Sequence, residues 1–404
     1  MPADRIDRSA GPAIPLSRWA GREIERLAAL TGSPGIAALE GAMLLGERAL
    51  QRHCNVAATM SVGTGTCRLL ATRDHGWFAL TLPRQDDREL LPALFGDDGF
   101  DIADDGAVER LVRRHDRAEL VGRGRALGLP VASADERPVS PAAIPLTRGP
   151  FRDRAADRRP LVIDLSAVWA GPLAGHLLWL AGAEVVKVES RSRPDRMRGS
   201  DPALFALVNQ GKASVAVDLR DPADRRALVD LIRRADIVIE SSRPRALQQL
   251  GIDADALVRE VPGLVWLTIT AHGATGEAAG WTGLGNDCGV AGGLTRALAE
   301  ASGRIGFVGD AIADPLTGIA AALEGWQAYR AGEALRIGLA MSAIAARALA
   351  EERAHDAAAI EAELRAWGAA IGQPFPRVPE RALMGDVRPF GMDTGAFLST
   401  VAPC

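Results

Sequence analysis

Lysine is almost missing from this chain. Of its 47 basic residues only Lys187 and Lys212 are lysines, and arginine holds every other position. Cysteine is scarce as well. Cys54, Cys67, Cys288 and Cys404 lie far apart without a C-x-x-C pair, which offers neither a zinc-finger ligand set nor a disulfide framework and fits a reducing cytoplasm. No stretch reaches the ~18–20 apolar residues that a spanning helix requires; the longest, residues 173–186, is broken by Gly175, His176, Gly182 and Glu184. The first residues mix charges of both signs without an apolar centre, so no secretory signal is expected. A net charge of −4 gives no electrostatic reason to expect nucleic acid or an anionic membrane as partner. No serine sits in a G-x-S-x-G elbow and no H-E-x-x-H occurs, so hydrolase and metalloenzyme chemistry lack a motif and no metal is expected.

What is present points to two domains, since 404 residues exceed the size at which one core usually stops growing. Residues 15–50 carry apolar positions at helical spacing, and TCRLLAT (66–72), WFALTLP (77–83) and LPVAS (129–133) read as strands. Residues 1–133 thus form a small α/β unit with N-terminal helices. Residues 134–160 hold five prolines and many charges and read as a linker. From 161 to 372 strands alternate with helices: LVIDLS, EVVKVE, SVAVDL, DIVIE and LVWLTIT, then an alanine-rich helical stretch with a strand near 335–341. Such alternation means right-handed βαβ units, a Rossmann-like and mostly parallel sheet, and ligands at the carboxyl ends of its strands. Residues 373–404 form a proline- and glycine-rich tail over the surface.

Three places in the second domain could carry chemistry. The loop VWAGPLAG (168–175) has Gly171 and Gly175 but not the third glycine of a dinucleotide fingerprint, and Pro172 suits a first helical position. Glu189 ends the second strand, where a ribose-binding acid would belong. The exit of that strand carries Arg191, Arg193, Arg196 and Arg198; with Lys212 and Arg243 these gather cations on the ligand edge, suited either to phosphates or to pairing with Asp195 and Asp201. The third place is Asp314-Pro315. It has the form of a helix N-cap, as do Asp201-Pro202 and Asp221-Pro222. A carboxylate there would also sit in the positive end of a helix dipole, beside N–H groups able to stabilise an oxyanion. Asp310 is the competing carboxylate, and His272, after the fifth strand, is a further candidate.

Taken in order, VIDLSAVWAGPLAGHLLWLAGAEVVKVES, VNQGKASVAVDLRDPADRRALVDLIRRADIVIESSRP, VPGLVWLTITAHGATG and ADPLTGIAAAL resemble the class III CoA-transferase family, over residues 161–345. The resemblance implies a CoA-binding α/β domain, with acyl-CoA and a small carboxylic acid as substrates and coenzyme A as the carried group. It places the catalytic aspartate, in A-D-x-x-x-G, at Asp314, and the CoA contacts at Trp169, Ala170, Arg191, Lys212 and Arg243. It further implies a cytoplasmic homodimer. Three departures matter. Ser241 stands where the family has asparagine; Asn286 stands where the racemase branch has its histidine, which speaks against racemisation; and the segment 74–96, similar to the family's small domain, comes first, as in a circular permutation. Acyl-CoA epimerisation with His272 or Asp287 as bases, and non-catalytic acyl-CoA binding with Asp314 as a mere cap, are the alternatives.

Overall fold

The computed structural model describes residues 11–61, 66–154, 158–242 and 244–398. Helices α1 (Ser17–Thr31) and α2 (Gly41–Gln51) precede strands β1 (Cys67–Ala71), β2 (Trp77–Thr81) and β3 (Val131–Ser133). Then come β4 (Ala143–Arg148), β5 (Leu161–Asp164), α3 (Ala170–Leu180), β6 (Glu184–Ser190), α4 (Pro202–Asn209), β7 (Ala213–Val217), α5 (Pro222–Arg233), β8 (Ile237–Glu240) and β9 (Val265–Thr270). The chain continues through α6 (Gly285–Ala291), α7 (Ala313–Arg330), β10 (Leu335–Ala340) and α8 (Met341–Ala369).

The strands form a seven-stranded sheet of order β4-β10-β9-β8-β5-β6-β7 and a three-stranded sheet of order β1-β2-β3. In the larger sheet only the β4–β10 pairing is antiparallel. This is the mixed α/β, mostly parallel architecture that the alternation of strands and helices implies. Its residues alternate between two cores with the period of two expected for strands. Val162, Val185, Ile237, Ile239, Val265 and Leu267 face α3 and α7, while Ile163, Val186, Val238 and Trp266 face α5. The strand order reverses between β5 and β8, so the crevice outside their carboxyl ends is the place for a ligand. The Ala167 N–H donates to the Ser241 hydroxyl across that crevice at 3.3 Å.

Helix α7 is buried along almost its whole length, as a central helix hydrophobic on all sides must be. Gly318 lets α3 come close: a Cβ there would lie 2.7 Å from the Ala170 carbonyl oxygen and 2.9 Å from Leu173 Cβ.

The stretch read as a linker contains β4, which pairs with β10 alone on the sheet's edge. Pro145 is tolerated there because an edge strand has one side free of ladder bonds. The N-terminal helices pack on the large unit. Trp19, Ile24 and Leu27 of α1 and Leu44 and Leu45 of α2 share one core with α3 and α7. In the tail, the Ser214 N–H donates to Asp393 at 2.8 Å and the Ala216 N–H to the Thr394 hydroxyl at 3.0 Å, so this segment covers the open edge of β7. Among the described residues no helix is long and apolar enough to cross a membrane.

Candidate active site

Asp314 is not a helix cap. Helix α7 begins at Ala313, and the Asp314 N–H donates to the Ala311 carbonyl at 2.9 Å, so its side chain is free of the capping role. The two aspartates of the same sequence form do cap: Asp201 accepts from the Leu204 N–H at 3.3 Å and Asp221 from the Ala223 N–H at 2.9 Å. The Asp314 residue is 8% exposed. Burial pushes its carboxyl up to about 7, and the neighbouring Asp310 adds to this; Arg48 and the backbone N–H groups of Gly285 and Ala170, which face the carboxylate, oppose it. Gly285 must lack a side chain, since a Cβ would lie 2.2 Å from Asp314 Oδ2 and 2.4 Å from the Ala311 carbonyl.

Asp310, the competing carboxylate, is fully buried and engaged by Arg48 of α2, whose Nε donates to Oδ2 at 2.7 Å while Nη2 contacts Oδ1. Burial works against the Arg48 charge, but Asp310, supported by Asp314 and Asp201, outweighs it and holds the guanidinium firmly protonated. That guanidinium lies 5.0 Å from the centre of the Trp169 ring. Between the two aspartates, Ala311 adopts a left-handed backbone with φ 45°. Its N–H donates to Asn286 Oδ1 at 2.9 Å. Asn286 thereby secures the turn that delivers Asp314, a strained conformation for a non-glycine residue.

The expected CoA contacts separate into two groups. Trp169 and Ala170 are buried at the start of α3, next to Val168, whose φ of 73° is a second left-handed position, held by an N–H bond to Asp195 Oδ2 at 3.2 Å. Arg191 is exposed at the carboxyl end of β6. Arg243 lies outside the described residues. Lys212 is interior: its Nζ donates to Asp164 Oδ2 at 2.8 Å, the Pro172 carbonyl at 2.8 Å and Asn209 Oδ1 at 3.1 Å, which uses all three ammonium hydrogens within the protein. Burial, with Lys187 nearby, outweighs Asp164 and pushes the Lys212 ammonium down to about 8. Lys187 is buried too, donating to the Ser166 carbonyl at 3.0 Å and pairing with Asp195 at 3.1 Å. Burial would raise the Asp164 carboxyl, but the two lysines overcome it and hold it below the usual range. Glu189, considered for a ribose, is gripped by Arg198 at 2.6 Å and by the Asp195 N–H at 2.9 Å.

A third buried carboxylate, Asp287 of α6, stands near Asp314. Burial pushes it up to about 7, with Asp314 adding to the effect against the Thr81 hydroxyl and the Leu284 N–H. Thr81, from β2 of the small sheet, donates to Asp287 Oδ1 at 2.8 Å. No local pattern singles out Thr81 or Arg48, which reach the site from 206 and 262 residues away. His272 is buried nearby; burial and Arg125 push its imidazole down to about 3.

The chain is similar in sequence to known proteins. The succinate–glutarate CoA-transferase of Agrobacterium fabrum is 32% identical over 208 residues, 47% of this chain and 52% of its own length. The mouse succinyl-CoA:glutarate CoA-transferase is 29% identical over 226 residues, covering 53% of this chain and 52% of its own. The chain thus spans about half the length of the curated relatives it matches. A crystal structure of a hypothetical protein (Rv3272) from Mycobacterium tuberculosis matches with TM-score 0.44 and 28% identity, over 50% of this chain and 60% of that one. The model of CoA-transferase family III matches residues 160–371, more than half of the 404 residues, and the chain belongs to that family.

Proposed function

We propose that this protein moves coenzyme A between an acyl-CoA and a carboxylic acid, with Asp314 as the covalent nucleophile. The observation that carries the reading is the contrast between neighbours: Asp310 is locked to Arg48, whereas Asp314 is buried, forms no ion pair among the described residues and is faced by two backbone N–H groups. A carboxylate held away from water and not tied into a direct ion pair keeps its nucleophilicity, and the N–H donors suit an oxyanion.

In this mechanism an Asp314 carboxylate oxygen attacks the thioester carbonyl, and CoA leaves as thiolate, which gives the mixed anhydride between the acyl group and Asp314. The thiolate then attacks the aspartyl carbonyl, which forms the aspartyl-CoA thioester and releases the donor acid. An acceptor carboxylate attacks that thioester and expels the thiolate, which returns to the acceptor's carbonyl and restores Asp314. CoA would lie along the carboxyl ends of β5, β6 and β8, against Trp169 and Ala170. Arg191 and Arg243 would reach its phosphates, and Lys212 would act one layer back by fixing Asp164. Succinate and glutarate, the acids named for the relatives, are the first acceptors to test. A cytoplasmic homodimer belongs to the same proposal, and light scattering tests its size.

Trapping is the direct experiment. Enzyme incubated with acyl-CoA and treated with hydroxylamine or borohydride should carry the modification at Asp314 by mass spectrometry. An unmodified Asp314 during turnover would overturn the mechanism, and an unmodified Asp314 with no turnover would favour acyl-CoA binding alone.

A further inference from the structure

Two residues beyond the end of β9, His272 meets Asp287 and Cys288 of α6 in the interior. An imidazole nitrogen, a carboxylate oxygen and the thiol sulfur lie within 4.8 Å of one another, and all three residues are buried. Among the described residues His272 Nε2 has no hydrogen-bond partner, an orphan that protein interiors seldom leave. The Cys288 sulfur has only long contacts, 3.6 Å to the Ala271 carbonyl and 4.0 Å to Asp287 Oδ2. Gly283 leaves space on the side these two groups share: a Cβ there would lie 2.7 Å from the sulfur and 2.8 Å from Asp287 Oδ2. The carboxylate is itself oriented, by the Thr81 hydroxyl at 2.8 Å and the Leu284 N–H at 3.1 Å. Such outer partners are what a ligating carboxylate requires.

We propose that His272, Asp287 and Cys288 bind one divalent transition-metal ion, for which zinc is the best fit. A set of one nitrogen, one oxygen and one sulfur suits zinc, with water in the fourth position. Metal–ligand distances of ~2.0–2.3 Å place tetrahedral ligands roughly 3.5 Å apart, so the three groups need to close by about an ångström. The nearby cation does not forbid this, because Arg125 is paired with Glu136 and stacked 3.8 Å over Trp281. On binding, the Cys288 thiol proton passes to solvent and the thiolate takes the metal. The ion would tie the exit of β9 to α6, whose first residue, Gly285, lies against Asp314. Its role is to position that helix and not to take part in the transfer.

Full-length protein stripped with a chelator and titrated with cobalt(II), with no CoA present, tests this. The expected result is a near-ultraviolet thiolate-to-cobalt band with visible bands of four-coordinate cobalt, saturating at equimolar metal and displaced by zinc. Cys288→Ser should abolish the thiolate band, and His272→Ala should weaken binding roughly tenfold or more, while Cys54→Ser leaves both unchanged. Absence of the band in the unaltered protein, or its survival in Cys288→Ser, overturns the proposal. The first of these readings does not depend on any variant folding. Neither depends on covalent trapping at Asp314, so the two hypotheses stand or fall separately.

Discussion

Arg48 closes two contacts on Asp310 and leaves Asp314, four residues further on, without an ion pair among the described residues. One cation from α2 thus divides two neighbouring acids into one that is ion-paired and one that is not, the second being the nucleophile proposed above. Arg48→Met would leave the fully buried Asp310 carboxylate without its partner, which typically costs about 3–5 kcal/mol. Denaturant unfolding should show that loss. The double variant Arg48→Met/Asp310→Leu should recover much of it, because no uncompensated charge is then left inside.

The carboxyl of Asp314 is raised from 3.8 to about 7, and that of Asp287 likewise. For a raised carboxyl the native state binds the proton more tightly than the unfolded chain. The stability this contributes is complete below the unfolded value of 3.8 and is lost as pH rises towards about 7. Asp314→Asn removes its share, so the variant should gain stability relative to the parent across that window, as measured by thermal unfolding at several pH values. Activity should run the other way. If ionised Asp314 is the nucleophile, kcat/KM should fall about tenfold per unit below this pKa and level off above it.

Thr81 ties the small sheet to the buried carboxylate of Asp287. Thr81→Val keeps the shape but removes the hydroxyl, leaving a buried acceptor short of one donor, at a cost of about 1–3 kcal/mol. Thr81→Ser should restore most of it. Hydrogen exchange over α6 would report whether the small sheet steadies that helix.

Much of the fold was legible because buried parallel strands advertise themselves. LVIDLS, EVVKVE, DIVIE and LVWLTIT are apolar runs bounded by helix signals, and all appear as β5, β6, β8 and β9. β4 was hidden, since Pro145 and its flanking charges resemble a linker and only pairing with β10 makes the segment a strand. Of the candidate site, only the sequence-local part could be proposed from the sequence. Asp314 stands out by its setting, but Asp201 and Asp221 share its Asp-Pro form, and it is the structure that shows those two making cap bonds. Arg48, Thr81 and the meeting of His272 with Cys288 depend on tertiary approach, which no spacing rule encodes.

The scarcity of lysine also proved to have a physical reading. In a chain that uses arginine almost everywhere, the two lysines are both interior, each bonded to a buried aspartate: Lys212 to Asp164 at 2.8 Å and Lys187 to Asp195 at 3.1 Å. A compact ammonium with three donors fits such a pocket, whereas a planar guanidinium needs a wider, flatter one. There is little room: a Cβ on Gly175 would already lie 3.0 Å from Lys212 Nζ. Lys212→Arg, nominally conservative, should therefore destabilise by about 1–3 kcal/mol through overpacking. Lys212→Met should cost more, about 3–5 kcal/mol, because it strips a fully buried carboxylate of its partner. Urea midpoints of the two variants decide the matter. If Lys212→Arg matched the parent, the lysine would owe its place to something other than the shape of this pocket.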